Sequence, residues 1–222
     1  MKKKINVLIT AGPTREYIDA VRFISNSSSG KMGYYLTNTI KKDANVILIS
    51  GPTYLKPPQD IKIIYVETTE EMYKYVKKFI KSCDVFICCA AIGDFKLKNK
   101  FKHKIKKKKT LILNLISTID ILKNINEYLI KMKLRNKKIL VGFALETHNI
   151  LKNALNKLKQ KNLELIIANR TNTIGTEFIK GIMIDYNNKK EYFNNISKKR
   201  ASKKIWNKIK NICMQKLFFQ LH

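Results

Sequence analysis

An open, doubly wound α/β fold with a mostly parallel sheet is what the sequence predicts, on two observations. Short apolar, β-branched runs recur along the chain, and longer stretches with helical patterning separate them. The runs are INVLIT (5–10), NVILIS (45–50), IKIIYV (61–66), DVFICCA (84–90), KILVGFA (138–144) and LELIIAN (163–169). Each is apolar on both faces, as strands of a buried parallel sheet are. Helices are expected between them at 30–42, 69–82, 120–132 and 149–161. GIMIDYNNKKEYF (181–193) differs, reading as two short strands around an Asn-Asn turn and hence as a small antiparallel hairpin near the C-terminus. A Lys-rich helix at 197–216 follows. No internal repeat and no linker divides the chain, so a single Rossmann-like domain, 1–222, is expected.

Composition narrows the classes. The 222 residues are long enough to bury a core, and 45% of them are hydrophobic, which speaks against disorder. A net charge of +29 would ordinarily point to nucleic acid or an anionic membrane. Here 40 Lys stand against 5 Arg, with 32 Ile and 21 Asn. Groove and phosphate readers favour the bidentate arginine fork, and these lysines are spread over every segment. Their excess is read as solvated surface, with nucleic acid bound only non-specifically. Cys83, Cys88, Cys89 and Cys213 show no C-x-x-C spacing and the three histidines lie far apart, so neither a disulfide framework nor a zinc site is indicated. The first apolar run is too short for a signal peptide and no segment reaches membrane-spanning length, so a soluble, cytoplasmic protein without membrane association is expected.

In open parallel sheets ligands bind beyond the carboxyl ends of the strands. TAGPTRE, AAIGDF, FALET and ANRT follow four of the runs and should cluster there. RFISNSSSGKMGYYLT (22–37) feeds the same edge and opens the first helix. Backbone amides at a helix start, unscreened at Gly30 and Gly33, suit an anionic phosphate. The stretch is neither a Walker motif, having Ser25 and Met32 where Gly and Ser or Thr belong, nor G-x-G-x-x-G. A Ser-capped helix whose glycines serve close packing fits the local chemistry equally well. An oxidoreductase of the dinucleotide-binding type would need that glycine fingerprint and an acid after the second strand, and NVILISGPTY supplies none.

Taken together, LITAGPTRE, VRFISNSSSGKMG, CAAIGDF, KIKK, VGFALET and LIIAN, in this order, resemble phosphopantothenoylcysteine synthetase over residues 5–170. The resemblance implies a ligase of coenzyme A biosynthesis that joins 4'-phosphopantothenate to cysteine. A carboxylate is a poor electrophile; the family activates it with CTP and Mg²⁺, forming an acyl-cytidylate and releasing pyrophosphate, then CMP. In many bacteria this is the C-terminal half of a bifunctional protein behind a flavin-dependent decarboxylase. Only four residues precede the first strand, so no flavin is expected in this chain, and a separate decarboxylase is the implied partner.

Residue by residue, the resemblance implies a nucleotide site of Gly12, Ser28, Gly30, Gly33, Asp94, Lys104, Ile119, Asp120, Ile121, Leu122, Phe143, Lys157, Lys161 and Asn169. Phosphopantothenate would meet Arg22, Asn26, Ala90, Ala91 and Asp94, with Asp94 the one candidate metal contact. Asn26, Lys104 and Arg22 carry the catalytic roles: Asn26 holds the acyl intermediate, Lys104 neutralises the triphosphate, and Arg22 reaches the phosphate of a neighbouring subunit, implying a homodimer. Any lysine of the 104–109 run could take the place of Lys104. Departures from the family pattern are Tyr17 and Ala20 in place of prolines, which should loosen that loop, TIDI (118–121) for Asn-Pro-Asp-Ile, and AAIGD for AAVAD. A degenerate, non-catalytic relative or a basic nucleic-acid-binding protein is the alternative.

Overall fold

The structure is a computed structural model that describes residues 4–219; the ends of the expected domain, 1–3 and 220–222, lie outside the described residues. The six apolar runs become six strands: β1 (Asn6–Ala11), β4 (Asn45–Ser50), β5 (Lys62–Tyr65), β6 (Val85–Cys88), β9 (Ile139–Glu146) and β10 (Leu165–Arg170). They are parallel throughout and lie in the order β10-β9-β6-β1-β4-β5. The hairpin β11 (Phe178–Asp185) and β12 (Lys190–Ser197) is longer than 181–193 and extends the same sheet as its antiparallel edge. Side chains alternate between the two faces along each strand. Val7, Ile9 and Ala11 pack under α1 (Lys31–Ile40) and α5 (Lys198–Phe219). Leu8, Phe86 and Ile166 pack under α2 (Thr69–Phe79), α3 (Ile121–Lys131) and α4 (Ile150–Gln160). Among the described residues no helix is long and apolar enough to cross a membrane.

Each helix keeps its expected place: α1, α3 and α4 are a residue or two shorter at each end, α2 starts at 69 as expected and stops three residues before 82, and α5 runs past 216. α2 starts on a capping box, Thr68 with Glu71, and its last turn continues into a 3₁₀ turn, Ile80–Ser82. Asp120 caps α3 by accepting the Lys123 amide at 3.1 Å, so the acid retained in TIDI begins this helix. α1 and α5 lie side by side, tied by Thr39 to Ser202 at 2.7 Å and by the Trp206 indole N–H to Asp43 at 3.0 Å.

Two small antiparallel pairs were not expected: β2 (Arg15–Tyr17) with β3 (Phe23–Ser25), and β7 (Phe95–Leu97) with β8 (Leu115–Ser117). They are only three residues long, so no apolar run or period announces them. The loop that was expected to loosen without its prolines is held by buried Asp19. Its Oδ1 accepts the amides of Val21 and Arg22 at 2.8 Å each, and its Oδ2 accepts that of Ile105 at 3.0 Å. The Ile105 amide is the largest of the influences that hold the Asp19 carboxyl below its ordinary range.

Candidate functional site

Three of the four strand ends expected to cluster, AAIGDF, FALET and ANRT, contribute to the lining of a cavity of about 780 Å³ at the carboxyl edge of the sheet, whereas no residue of TAGPTRE lines it. Its floor depends on loops packed backbone to backbone. Gly12 and Gly30 both sit at positive φ, +76° and +75°, and a β-carbon on Gly12 would lie 2.8 Å from the Gly51 carbonyl oxygen. Gly12 lies beneath the cavity lining, its carbonyl accepting the Ala91 amide at 2.9 Å. Gly33 does line the cavity, but its missing side chain faces the sheet: a β-carbon would lie 2.4 Å from that of Ala11. Gly33 therefore brings α1 down onto β1.

The start of α1 opens into the cavity through Ser28, Gly30 and Gly33. The Ser cap allowed by the sequence is absent. Gly30 is the N-cap without a side-chain cap, and Ser28 instead accepts the Gly30 amide at 3.2 Å. The first-turn amides are thus left for a ligand, and no acidic side chain in that turn competes for them.

Four lysines surround the opening: Lys31, Lys157, Lys161 and Lys198. Lys157, on α4, donates to the Phe143 carbonyl at 2.8 Å. Burial pushes its ammonium below the ordinary lysine value, and Lys161 adds to the effect. Lys161 stands just past the end of α4, rather than inside the expected helix, and pairs with Asp120 at 2.7 Å. Burial raises the Asp120 carboxyl, but the Lys161 ammonium and the Lys123 amide outweigh it and leave it below its usual range. Lys198, the first residue of α5, is buried and donates to the carbonyls of Thr173 (3.1 Å) and Thr176 (2.6 Å). Its ammonium is lowered by burial and next by Lys31. Asn169 donates to Thr173 Oγ1 at 2.9 Å.

Asn26, Ala90, Ala91 and Asp94 line the cavity as well. The Asn26 amide nitrogen donates to the Ile92 carbonyl at 2.9 Å, which fixes the carboxamide plane and leaves Oδ1 for a ligand. Ala90 and Ala91 add little bulk to the lining, and Ile119, Asp120, Ile121 and Leu122 bring the start of α3 to the cavity beside Lys161. Among the described residues no group of three or more His, Cys, Asp and Glu could hold a metal ion. Mg²⁺ would fit here only as an ion brought on a polyphosphate, whose oxygens supply most ligands, with exposed Asp94 as a single carboxylate.

Arg22, Lys104 and Gly12 do not line the cavity. The Arg22 guanidinium donates to the Ile105 carbonyl at 3.3 Å and lies 3.4 Å from Asp19. Lys104 is exposed on the irregular segment between β7 and β8. Sequence reasoning missed Lys31 and Lys198. Lys31 sits in the motif that drew attention, whereas nothing local distinguishes Lys198 among 40 lysines.

Comparisons with known proteins place the sequence and the fold. Residues 2–213 match the family model described as the DNA/pantothenate metabolism flavoprotein C-terminal domain. The coenzyme A biosynthesis bifunctional protein CoaBC of Borreliella burgdorferi is 38% identical over 192 residues, 85% of this chain and 48% of that protein. CoaBC of Bacillus subtilis is 44% identical over 176 residues, 78% of this chain and 42% of that protein. The chain thus spans about half the length of the curated relatives it matches. The crystal structure of the C-terminal domain of CoaBC superposes with a TM-score of 0.81 at 34% identity, covering 95% of this chain and 96% of that one. The chain therefore belongs to the DNA/pantothenate metabolism flavoprotein C-terminal domain family, the synthetase family that its motifs resemble.

Proposed function

We propose that this chain is a phosphopantothenate–cysteine ligase of coenzyme A biosynthesis, working with CTP and Mg²⁺ through an acyl-cytidylate. The observation that carries the reading is the cavity itself. Four lysines and an uncapped helix start converge on one space whose carboxylates are few, so polyanionic ligands are favoured. In the first step a carboxylate oxygen of 4'-phosphopantothenate attacks the α-phosphorus and pyrophosphate leaves with the bonding electrons. In the second the cysteine amine attacks the acyl carbon, CMP leaves, and the amine proton passes to solvent. Metal bound on the triphosphate would offset its charge.

In this reading the amides of α1 with Lys157 and Lys161 take the nucleotide phosphates, and Phe143 and Asn169 line the nucleotide's path. Asn26 Oδ1 faces the acyl group. Arg22 and Lys104, outside the cavity of their own chain, would act across a homodimer. Exposed Val21, Phe23, Phe95, Phe101, Leu115 and Ile116 on the two small hairpins and their loops offer the apolar surface for it. A separate decarboxylase would take the product.

The test is purified chain with 4'-phosphopantothenate, cysteine, Mg²⁺ and either CTP or ATP. Pyrophosphate release that needs CTP and phosphopantothenate but not cysteine is expected, from a species that sediments as a dimer. Phosphate with a nucleoside diphosphate would instead indicate an acyl phosphate. Rapid quench separates the roles: Asn26→Ala should form acyl-cytidylate and consume it slowly, while Lys104→Ala scarcely forms it, each slowed roughly 10²–10³-fold. Equal loss of the intermediate in both variants would refute the division.

A further inference from the structure

Lys31 is a cation in a costly place. It is the first residue of α1, where the helix dipole already concentrates positive charge, and no acid stands in the first turn to balance it. Lys157, Lys161 and Lys198 line the same cavity. The Lys31 ammonium lies 2.5 Å from Glu177 Oε1 and donates to the Gly175 carbonyl at 3.1 Å. The other Glu177 oxygen accepts from the Tyr35 hydroxyl at 2.7 Å. Lys31 and Gly175 line the cavity, and Glu177 does not. An ammonium at the cavity wall is therefore held by a carboxylate outside it.

The two partners are unequally placed. The Glu177 side chain is 49% exposed and that of Lys31 26%, so the pair is weakened by water and salt. A phosphate entering beside the α1 amides offers more charge and more acceptor oxygens, in a place where charge-assisted bonds are stronger. The 174–177 segment would not be lost on exchange, because the buried Lys198 ammonium holds it separately through Thr173 and Thr176.

We propose that Lys31 binds a phosphate group in the cavity and that Glu177 is its resting counter-ion, given up when the phosphate arrives. This rests on the ligase reading for the identity of the ligands. The shared chemistry is a phosphate, from either the nucleoside triphosphate or the phosphomonoester of 4'-phosphopantothenate.

The test is calorimetric titration of CTP, inorganic tripolyphosphate and 4'-phosphopantothenate into the whole chain. Wild type, Lys31→Met, Glu177→Gln and the double variant are compared, with thermal unfolding in parallel. Lys31→Met should weaken a phosphate ligand roughly tenfold. Glu177→Gln should tighten it about two- to fivefold, the range an exposed ion pair allows. The double variant should match Lys31→Met, because Glu177 acts only through Lys31. Loss confined to CTP and tripolyphosphate assigns Lys31 to the triphosphate; loss confined to 4'-phosphopantothenate assigns it to the phosphomonoester. Unchanged binding of all three ligands by Lys31→Met overturns the proposal, as does tightening by Glu177→Gln that persists without Lys31. Should Lys31→Met fail to fold, Glu177→Gln alone decides, and no tightening overturns the proposal. Binding needs no turnover, so the two readings fail separately. Lys31-dependent binding without pyrophosphate release from CTP would remove the ligase and keep this site. Normal release with Lys31-independent binding would do the reverse.

Discussion

The two edges of the sheet use the same residue types to opposite ends. At the amino edge Arg135 pairs with both oxygens of Glu164, each at 3.0 Å, and donates to Asn126 at 2.7 Å and to the Asn162 carbonyl. Glu164 also accepts the Leu140 amide at 2.7 Å and the Lys216 ammonium at 2.5 Å. Lys138 donates to the carbonyls of Lys81 and Cys83, and Asp84 accepts the Asn6 amide at 2.8 Å. This cluster is closed, with both guanidinium and carboxylate answered by groups of the chain itself. At the carboxyl edge Lys31, Lys157, Lys161 and Lys198 face a cavity in which, among the described residues, Asp94 and Asp120 are the acidic side chains. Buried charge that is fully partnered holds elements together; positive charge lining a cavity in excess of its carboxylates favours a ligand of opposite sign.

The comparison breaks first at Arg135. Arg135→Ala would leave Glu164 buried with less than its full set of partners and should cost about 3–5 kcal/mol, read by denaturant unfolding. CTP affinity of the folded fraction should be unchanged. A variant as stable as wild type would mean that the amino-edge cluster is no clamp.

Lys157→Ala is the counterpart at the other edge. It should slow acyl-cytidylate formation roughly 10²–10³-fold. The melting temperature should hold or rise, because burial already disfavours that ammonium in the folded chain. A large loss of stability with normal turnover would make Lys157 a structural residue like Arg135.

Gly33→Ala tests whether the helix start is set by packing. The added methyl meets Ala11 at 2.4 Å and should destabilise by about 1–3 kcal/mol while weakening nucleotide binding through a displaced α1. Weaker binding at unchanged stability would restore the reading in which Gly33 serves the ligand directly.

The smallest effect is pH-dependent. The Asp120 carboxyl is held below its ordinary value of 3.8 in the folded chain. Its contribution is therefore complete above that value and lost as pH falls through the lower, folded one. Wild type should exceed Asp120→Asn in stability at pH 6, keep that margin down to about pH 4, and converge with it only as pH falls further. A difference that stays constant through that further fall would remove the Asp120–Lys161 pair from the balance.

Six parallel strands, five helices and the terminal hairpin were legible because their signals are local. Alternation, apolar runs and an Asn-Asn turn are properties of neighbouring residues. The cavity's place was legible too, since parallel strands send their polar ends to one edge. Asn26, Asp94, Asp120, Lys157, Lys161 and Asn169, read from the motifs, all meet there. The small hairpins were not legible, because strands of three residues are too short to carry a period. Nor could the sequence say that Gly33 faces Ala11 and not the cavity, or that Ser28 turns to Gly30 without capping the helix. The lysines make the division sharpest. Their number is a matter of composition, but which of 40 face inward depends on how α1, α4 and α5 are set on the sheet. Lys198 joins the site from the far end of the chain because α5 starts where β12 ends, beside the 171–177 segment. A charge acquires a role from the partners it meets or lacks, and for groups distant in sequence only tertiary packing decides that.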